Sequence, residues 1–228
     1  MIKIEFTEVF GWDACVRGMR NPMNSWHLSD SHWTYIENEQ TLNRAKFQFF
    51  LGENDLKLMK NLSKAGDDHA KCLRMLTVTC DITAPRYWWT EYDTYKVGTV
   101  ANSCSTMHKI HTKEFTLDDF SHEHLGGTSL HYLRGYIRNL NEHRRLFNNF
   151  DNLEDDFVKA LQLVKKDYWW QMIQLLPQSY NQRRTVLLNY QVLEHMYHAR
   201  KNHKLDEWRE FCKWCESLPY FTEICVND

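Results

Sequence analysis

Residues 176–208 read LPQSYNQRRTVLLNYQVLEHMYHARKNHKLDEW, and how this stretch is taken governs the reading of the rest of the chain. Between Gln182 and Ala199 it holds no Gly or Pro. Val186, Leu193 and Met196 recur there at helical spacing, with Val192 one step aside, which predicts a helix over 182–199. Two polar residues share its apolar face: Asn189, four positions before Leu193, and Arg200, four after Met196. Eleven residues make close to three turns, so Asn189 and Arg200 point the same way about 16 Å apart. His203 follows on nearly the same side if the helix continues. An Arg closing an apolar stripe needs an anionic partner, from the protein or from a ligand. An Arg that caps the last carbonyls of its own helix has the same spacing, so spacing alone leaves both readings open.

The chain around this stretch has 228 residues, enough for one large domain over 1–228 with an ample core. Aromatic residues make up 14% of it, with nine Trp, while Gly and Pro are scarce, a composition that belongs to a folded chain. A formal charge of −2 gives no case for a nucleic-acid polymer as partner, although a local basic patch suffices for a mononucleotide. No apolar run is long enough for a membrane span, and MIKIEFTEVF lacks the build of a signal peptide. Seven cysteines, an odd and scattered set, read as reduced thiols of a cytoplasmic protein.

Taken in order, Ile2, Ile4 and Phe6 alternate with Lys3, Glu5 and Thr7, the period of a half-buried strand. Residues 11–34, rich in Asn, Ser, His and Trp, show no clear period and are expected to be loops and short turns. Residues 41–50 fit a short helix or strand. Leu56, Met59 and Leu62 predict a helix over 53–64 that stops near Gly66. Leu76, Val78, Cys80 and Ile82 alternate with Thr77, Thr79, Asp81 and Thr83, the clearest strand, closed by Ala84-Pro85. Residues 86–97 suit a helix, and from Gly98 to Lys109 a polar loop of small residues is expected. Two further helices fit 132–147 and 153–176, the second with a Phe157, Leu161, Val164 stripe. Trp208, Phe211, Cys212 and Cys215 set a last helix over 206–218, ended by Pro219. No repeat or linker suggests a second domain.

Few local motifs carry chemistry. Cys212 and Cys215 form a lone CxxC late in a predicted helix, without the further ligands zinc requires, and read as small packing residues. His122-Glu123-His124 is not HExxH and reads as a polar loop, so no metal site is expected. Walker A, GxGxxG and GxSxG patterns are absent. The loop from Gly98, beside Trp88-Trp89, offers backbone and hydroxyl donors to a phosphate or planar ring, or is a surface loop pinned by aromatic packing.

The order Leu176-Pro177, Asn189, Arg200, His203 and Glu207 resembles the C-terminal signature of the flavin-dependent thymidylate synthases. The family usually has one more residue between Arg and His, and Ala-Gln where this chain has Lys204-Leu205. The resemblance continues in His69, the strand 76–82, Arg86 and the loop 98–108, where Asn102 and Ser105 align with loop Asn and Ser if a short insertion is allowed. Departures are plain. Asp93-Thr94-Tyr95 stands where the family has Arg-His-Arg, Ser103 where it has Glu, Met107-His108 where it has Arg-Tyr, and Ile173 where an Arg precedes Leu-Pro.

The resemblance, over roughly 53–109 and 170–218, implies an α+β fold: a mixed α/β core with an antiparallel sheet and long helices, assembled as a homotetramer. The family's reaction reduces FAD with NADPH and moves a one-carbon unit from methylenetetrahydrofolate to dUMP, the flavin carrying the hydride chemistry. On that basis Arg200 holds the nucleotide base or its developing charge and is the one catalytic candidate. Asn189, Asn102, Ser105 and His203 are cofactor-binding candidates, and Arg86, Ser103 and Arg200 substrate-binding ones. The missing arginines imply weak or lost FAD, each charge-assisted contact being worth about 1.5–3 kcal/mol. Three readings follow: modification of dUMP or a similar pyrimidine nucleotide, a flavin-free homologue that binds a nucleotide or protein partner without catalysis, or a purely structural oligomer with Arg200 in a plain salt bridge.

Overall fold

The computed structural model describes residues 1–36, 46–149 and 158–226. In chain order the elements are β1 (Lys3–Phe10), α1 (Trp12–Arg20), β2 (His32–Ile36), β3 (Lys46–Phe50), α2 (Glu53–Lys64), β4 (Thr77–Pro85) and α3 (Arg86–Tyr92). There follow β5 (Val100–Ser103), α4 (Thr106–Lys109), α5 (Gly127–Asn149), α6 (Val158–Leu175), β6 (Asn181–Asn189), α7 (Tyr190–Arg200), α8 (Asp206–Glu216) and α9 (Phe221–Cys225). One sheet has the order β1-β4-β6-β5, and β2 and β3 form a separate antiparallel hairpin. This is the expected α+β class, with antiparallel sheets and long helices. No helix among the described residues is long and apolar enough to cross a membrane.

The chain divides into two compact units. The first holds Met1–Lys3, Ile82–Thr94 and Asn102–Arg184. Its core is a cluster of Ile110, Phe115, Phe120, Ile137, Leu140, Met172 and Leu176 around the packed pair α5 and α6. Ile173 packs against this cluster. The short α3 buries Trp88, Trp89 and Tyr92, whose rings meet at 4.9–5.3 Å. Its backbone is tied to the Leu-Pro turn: Arg86 N–H donates to Tyr180 O and Tyr87 N–H to Gln178 O.

The second unit holds Ile4–Asp81, Tyr95–Ala101 and Thr185–Asp228. Its helices bury Trp12, Met59, Leu193, Met196, Trp208, Phe211 and Phe221. An ion pair lies inside it. Arg20 Nε donates to Asp55 at 2.6 Å, with the Asp55 side chain fully buried and Arg20 nearly so. Ser29 Oγ and Ser31 Oγ each donate to the same carboxylate at 2.6 Å, and the Asp30 and Ser31 amides add weaker bonds. Asp30 in turn accepts from the Asn54 and Asp55 amides and so caps α2 from outside, α2 having only Gly52 at its N-cap. Gly52 is required there, because a Cβ would meet Asp30 Cγ at 2.1 Å.

Three expectations need correction. The helix expected over 182–199 is two elements, β6 and then α7. Val186 and Leu188 are buried while Thr185 and Leu187 are exposed, a period of two that the wider helical spacing of apolar residues concealed. The loops expected over 11–34 contain the helix α1, whose Trp12, Cys15, Val16 and Met19 are buried at i, i+3, i+4 and i+7. The polar loop expected over 98–109 contains the four-residue strand β5 and the single turn α4, started by Ser105 Oγ accepting from His108 N. By contrast α2 has its expected bounds, and β1, β4 and α8 differ only at their ends. Residues 46–50 are strand. Phe157 of the expected stripe lies outside the described residues, as does the Leu161 side chain.

Candidate functional site

Asn189 ends β6 and caps α7. Its backbone is extended (φ −131°, ψ 165°), and its Oδ1 accepts from the Val192 amide at 3.0 Å. That bond fixes the orientation of the side-chain amide, because only the oxygen can accept. The Asn189 nitrogen therefore faces Gly98, where a Cβ would come within 2.9 Å of both Asn189 Nδ2 and Val192 Cγ2. Gly98 has φ +77°, so both the close approach and the backbone demand glycine. Asn189 is only 9% exposed, and its NH2 has no hydrogen-bond partner among the described residues. An acceptor from a ligand would complete it.

Arg200 is the last residue of α7. Its Nε donates to Tyr95 Oη at 2.9 Å, and its guanidinium carbon lies 4.8 Å from the Trp208 ring centroid and 5.6 Å from that of Tyr95. Two aromatic faces thus hold the fork in one orientation, the pre-organisation that bidentate recognition of an anion or a base edge uses. His203 follows the helix end: its amide donates to Arg200 O at 2.9 Å, its Nδ1 accepts from the Leu205 amide, and its ring meets Trp208 edge-on at 6.4 Å. Glu207, 6% exposed, is the buried carboxylate of α8. One segment, Tyr95–Gly98, therefore touches both ends of α7, and Asn189, Arg200 and His203 belong to a single unit with it.

The remaining candidates lie in the first unit. Asn102 and Ser103 are exposed on β5, and Ser105 caps α4. Arg86 opens α3 half-buried, and its guanidinium has no acid or acceptor among the described residues. Ser105 lines a cavity of about 480 Å³ together with Thr83, Lys109, Phe115, Tyr180 and Arg183, a size suited to a small organic ligand. Burial, with Asp119 and Cys104 adding to it, pushes the Tyr180 phenol up, so it stays a donor at neutral pH. Cys104, also at this cavity, is the exposed one of seven free cysteines.

Sequence reasoning missed Arg184. Its Nη1 meets Asp93 at 2.6 Å, its Nε and Nη2 share Gln182 Oε1 at 3.2 and 3.1 Å, and its guanidinium carbon stands 4.2 Å from the Trp89 ring centroid. Trp89 Nε1 donates to Gln182 O at 2.9 Å and braces the same corner. Two residues of Asp93-Thr94-Tyr95 thus engage cations of this chain: Asp93 takes Arg184, and Tyr95 takes Arg200. The only local signal was the doublet Arg183-Arg184.

Cys212 and Cys215 are buried, and burial, helped by Glu216, pushes the Cys212 thiol up to about 11. Both fit packing. His122 keeps a ring nitrogen 2.7 Å from Phe120 O, and no group of three or more metal-ligating side chains occurs among the described residues.

No protein-family profile matches the sequence, and no curated protein matches it. Solved structures do. Thymidylate Synthase X from Helicobacter pylori, in a crystal structure with FAD and dUMP, superposes with a TM-score of 0.63 at 15% identity over 99% of this chain and 97% of that one. A second crystal structure of the Helicobacter pylori flavin-dependent thymidylate synthase, also complexed with FAD and dUMP, gives 0.63 at 14% over 98% and 97%. The chain shares the fold of the flavin-dependent thymidylate synthases. The likeness runs nearly the length of both chains.

Proposed function

We propose that the protein binds dUMP or a closely similar pyrimidine nucleotide on its thymidylate synthase fold, with Arg200 and Asn189 as the residues that read it. The observation that carries this is the segment Tyr95–Gly98. Its Tyr95, together with Trp208 of α8, packs against Arg200, and its Gly98 backs the nearly buried Asn189 amide, whose NH2 has no partner among the described residues. A uracil ring offers two carbonyl acceptors and one N–H, which suits an amide and a guanidinium. In this reading His203 sets the geometry of the Arg200 end.

Two readings of the chemistry follow from nucleotide binding. In one, the protein methylates or otherwise modifies the nucleotide with a one-carbon unit from methylenetetrahydrofolate, using FAD reduced by NADPH. The donor set disfavours a flavin dinucleotide held as the resemblance implies: where the resemblance places two phosphate-gripping arginines and a histidine, this chain has a carboxylate, a hydroxyl and a phenol. Asp93 and Tyr95 also engage cations instead of supplying them. The second reading, a nucleotide-binding homologue that works without tightly held flavin, is the one this geometry favours. Purified protein is expected to release substoichiometric flavin, or none, on denaturation. Stoichiometric, tightly held FAD would overturn this and return the protein to flavin-dependent methylation.

We also infer self-association, as a homotetramer. The hairpin β2–β3 exposes Trp33 (49%), Tyr35 (52%) and Phe47 (64%), ring types that protein interfaces favour, and a second copy is the occupant the resemblance implies. Light scattering under reducing conditions should give an oligomer mass, and a monomer at micromolar concentration would contradict it.

A further inference from the structure

We propose that Arg184 is a phosphate-binding residue whose place Asp93 fills when no ligand is bound. The inference rests on the reading above that the protein takes a phosphate-bearing ligand. The geometry is that of a prepared anion receptor. The guanidinium lies over the Trp89 ring at 4.2 Å and is gripped along one edge by Gln182 Oε1, so its orientation is fixed before any anion arrives. Gln182 is neutral and takes one edge only. Among the described residues three of its five N–H groups are used, which leaves donors at the Nη1 and Nη2 end for a second oxyanion contact.

Asp93 is a weak holder of that place. Its side chain is 52% exposed while that of Arg184 is 14% exposed, and pairs with an exposed partner contribute little. Asp93 is also the C-cap of α3, at the end where the helix carbonyls disfavour a negative charge. No other bond from the Asp93 carboxylate occurs among the described residues. A phosphate monoester brings more charge and three acceptor oxygens to the same fork, and Asp93 can turn to solvent without leaving a buried group unsatisfied. Asp93 thereby sets how tightly the site holds phosphate, and the carboxylate beside the arginine discriminates against weakly charged anions.

Calorimetric titration of the full chain with dUMP, deoxyuridine and inorganic phosphate tests this. Asp93→Asn should tighten inorganic phosphate about tenfold while leaving deoxyuridine unchanged, because the nucleoside lacks the phosphate. The double variant Asp93→Asn with Arg184→Gln should lose that gain, with thermal melts checking that both variants fold. An equal gain in the double variant would assign the effect to net charge and overturn the proposal. If wild type binds dUMP and Asp93→Asn gains nothing for inorganic phosphate, the proposal fails while the nucleotide reading stands. If no variant binds dUMP but Asp93→Asn binds inorganic phosphate through Arg184, the nucleotide reading fails and the phosphate site stands.

Discussion

Asp55→Ala is expected to cost the fold about 3–5 kcal/mol, the usual loss when one partner of a buried ion pair is removed. Asp55 is fully buried and accepts from the Arg20 guanidinium, two serine hydroxyls and two backbone amides. Removing it leaves the Arg20 charge 4% exposed with only a 3.2 Å bond to Ser25 O, and strips the donors of residues 29–31 of their common acceptor. The same change loosens the loop whose Asp30 caps α2. The pH dependence has a definite sign. Burial alone pushes the Asp55 carboxyl up, but the Ser29, Ser31 and Arg20 bonds outweigh it and hold the carboxyl below the ordinary aspartate range. A depressed folded pKa contributes stability that is present above the unfolded value, about 4, and is lost as pH falls through the folded value. The gap between wild type and Asp55→Ala in urea denaturation should therefore be flat at neutral pH and shrink in acid. A gap below about 1 kcal/mol at pH 7 would mean that the serines and Arg20 find other partners, against the buried network described.

Arg200→Ala is expected to remove nucleotide binding while the fold survives. A charge-assisted pair with a nucleotide is worth about 1.5–3 kcal/mol, or roughly ten- to 150-fold in affinity. Without ligand the variant gives up at least the Tyr95 bond and the packing on Trp208. Cation–π contacts run about 0.5–2 kcal/mol and a neutral acceptor's bond about 0.5–1.5 kcal/mol, so the ligand-free loss should be about 1–3 kcal/mol. Thermal melts of wild type and variant, each with and without dUMP, separate the two effects. The expected pattern is a modest fall of the ligand-free melt together with complete loss of the dUMP-induced shift. A ligand-free loss of about 3–5 kcal/mol with the shift retained would assign Arg200 to a buried ion pair within the protein.

Much of this architecture was legible where one period stood alone and a stop followed it. The helix 53–64 has Leu56, Met59 and Leu62 on one side and Gly66 after it, and the strand at 77–85 alternates cleanly up to Pro85. Two overlapping periods misled. From Thr185 to Met196 the apolar residues satisfy a helical count, yet the first four positions alternate in burial, and Asn189 turns the chain from strand to helix. In α1 the apolar positions are Trp12, Cys15, Val16 and Met19, but the helix is followed at once by residues 21–34, whose Asn, Ser, His and Trp resemble a loop in composition. Asn189 and Arg200 could be singled out from sequence because they stand at the two ends of one helix, as its N-cap and its last residue, at a countable spacing. Their partners could not. Tyr95 lies 105 residues before Arg200, and Asp93 lies 91 before Arg184, so both pairings exist only once the chain is folded. The need for glycine at position 98 is likewise invisible until Asn189 is brought against it.

The most direct test of a pyrimidine-nucleotide site built on Arg200 and Asn189 is calorimetric titration of purified wild-type protein with dUMP, run beside Arg200→Ala. Saturable binding by wild type without added flavin, lost in Arg200→Ala, is the predicted result. No measurable heat from wild type up to millimolar dUMP, or equal binding by the variant, would contradict it.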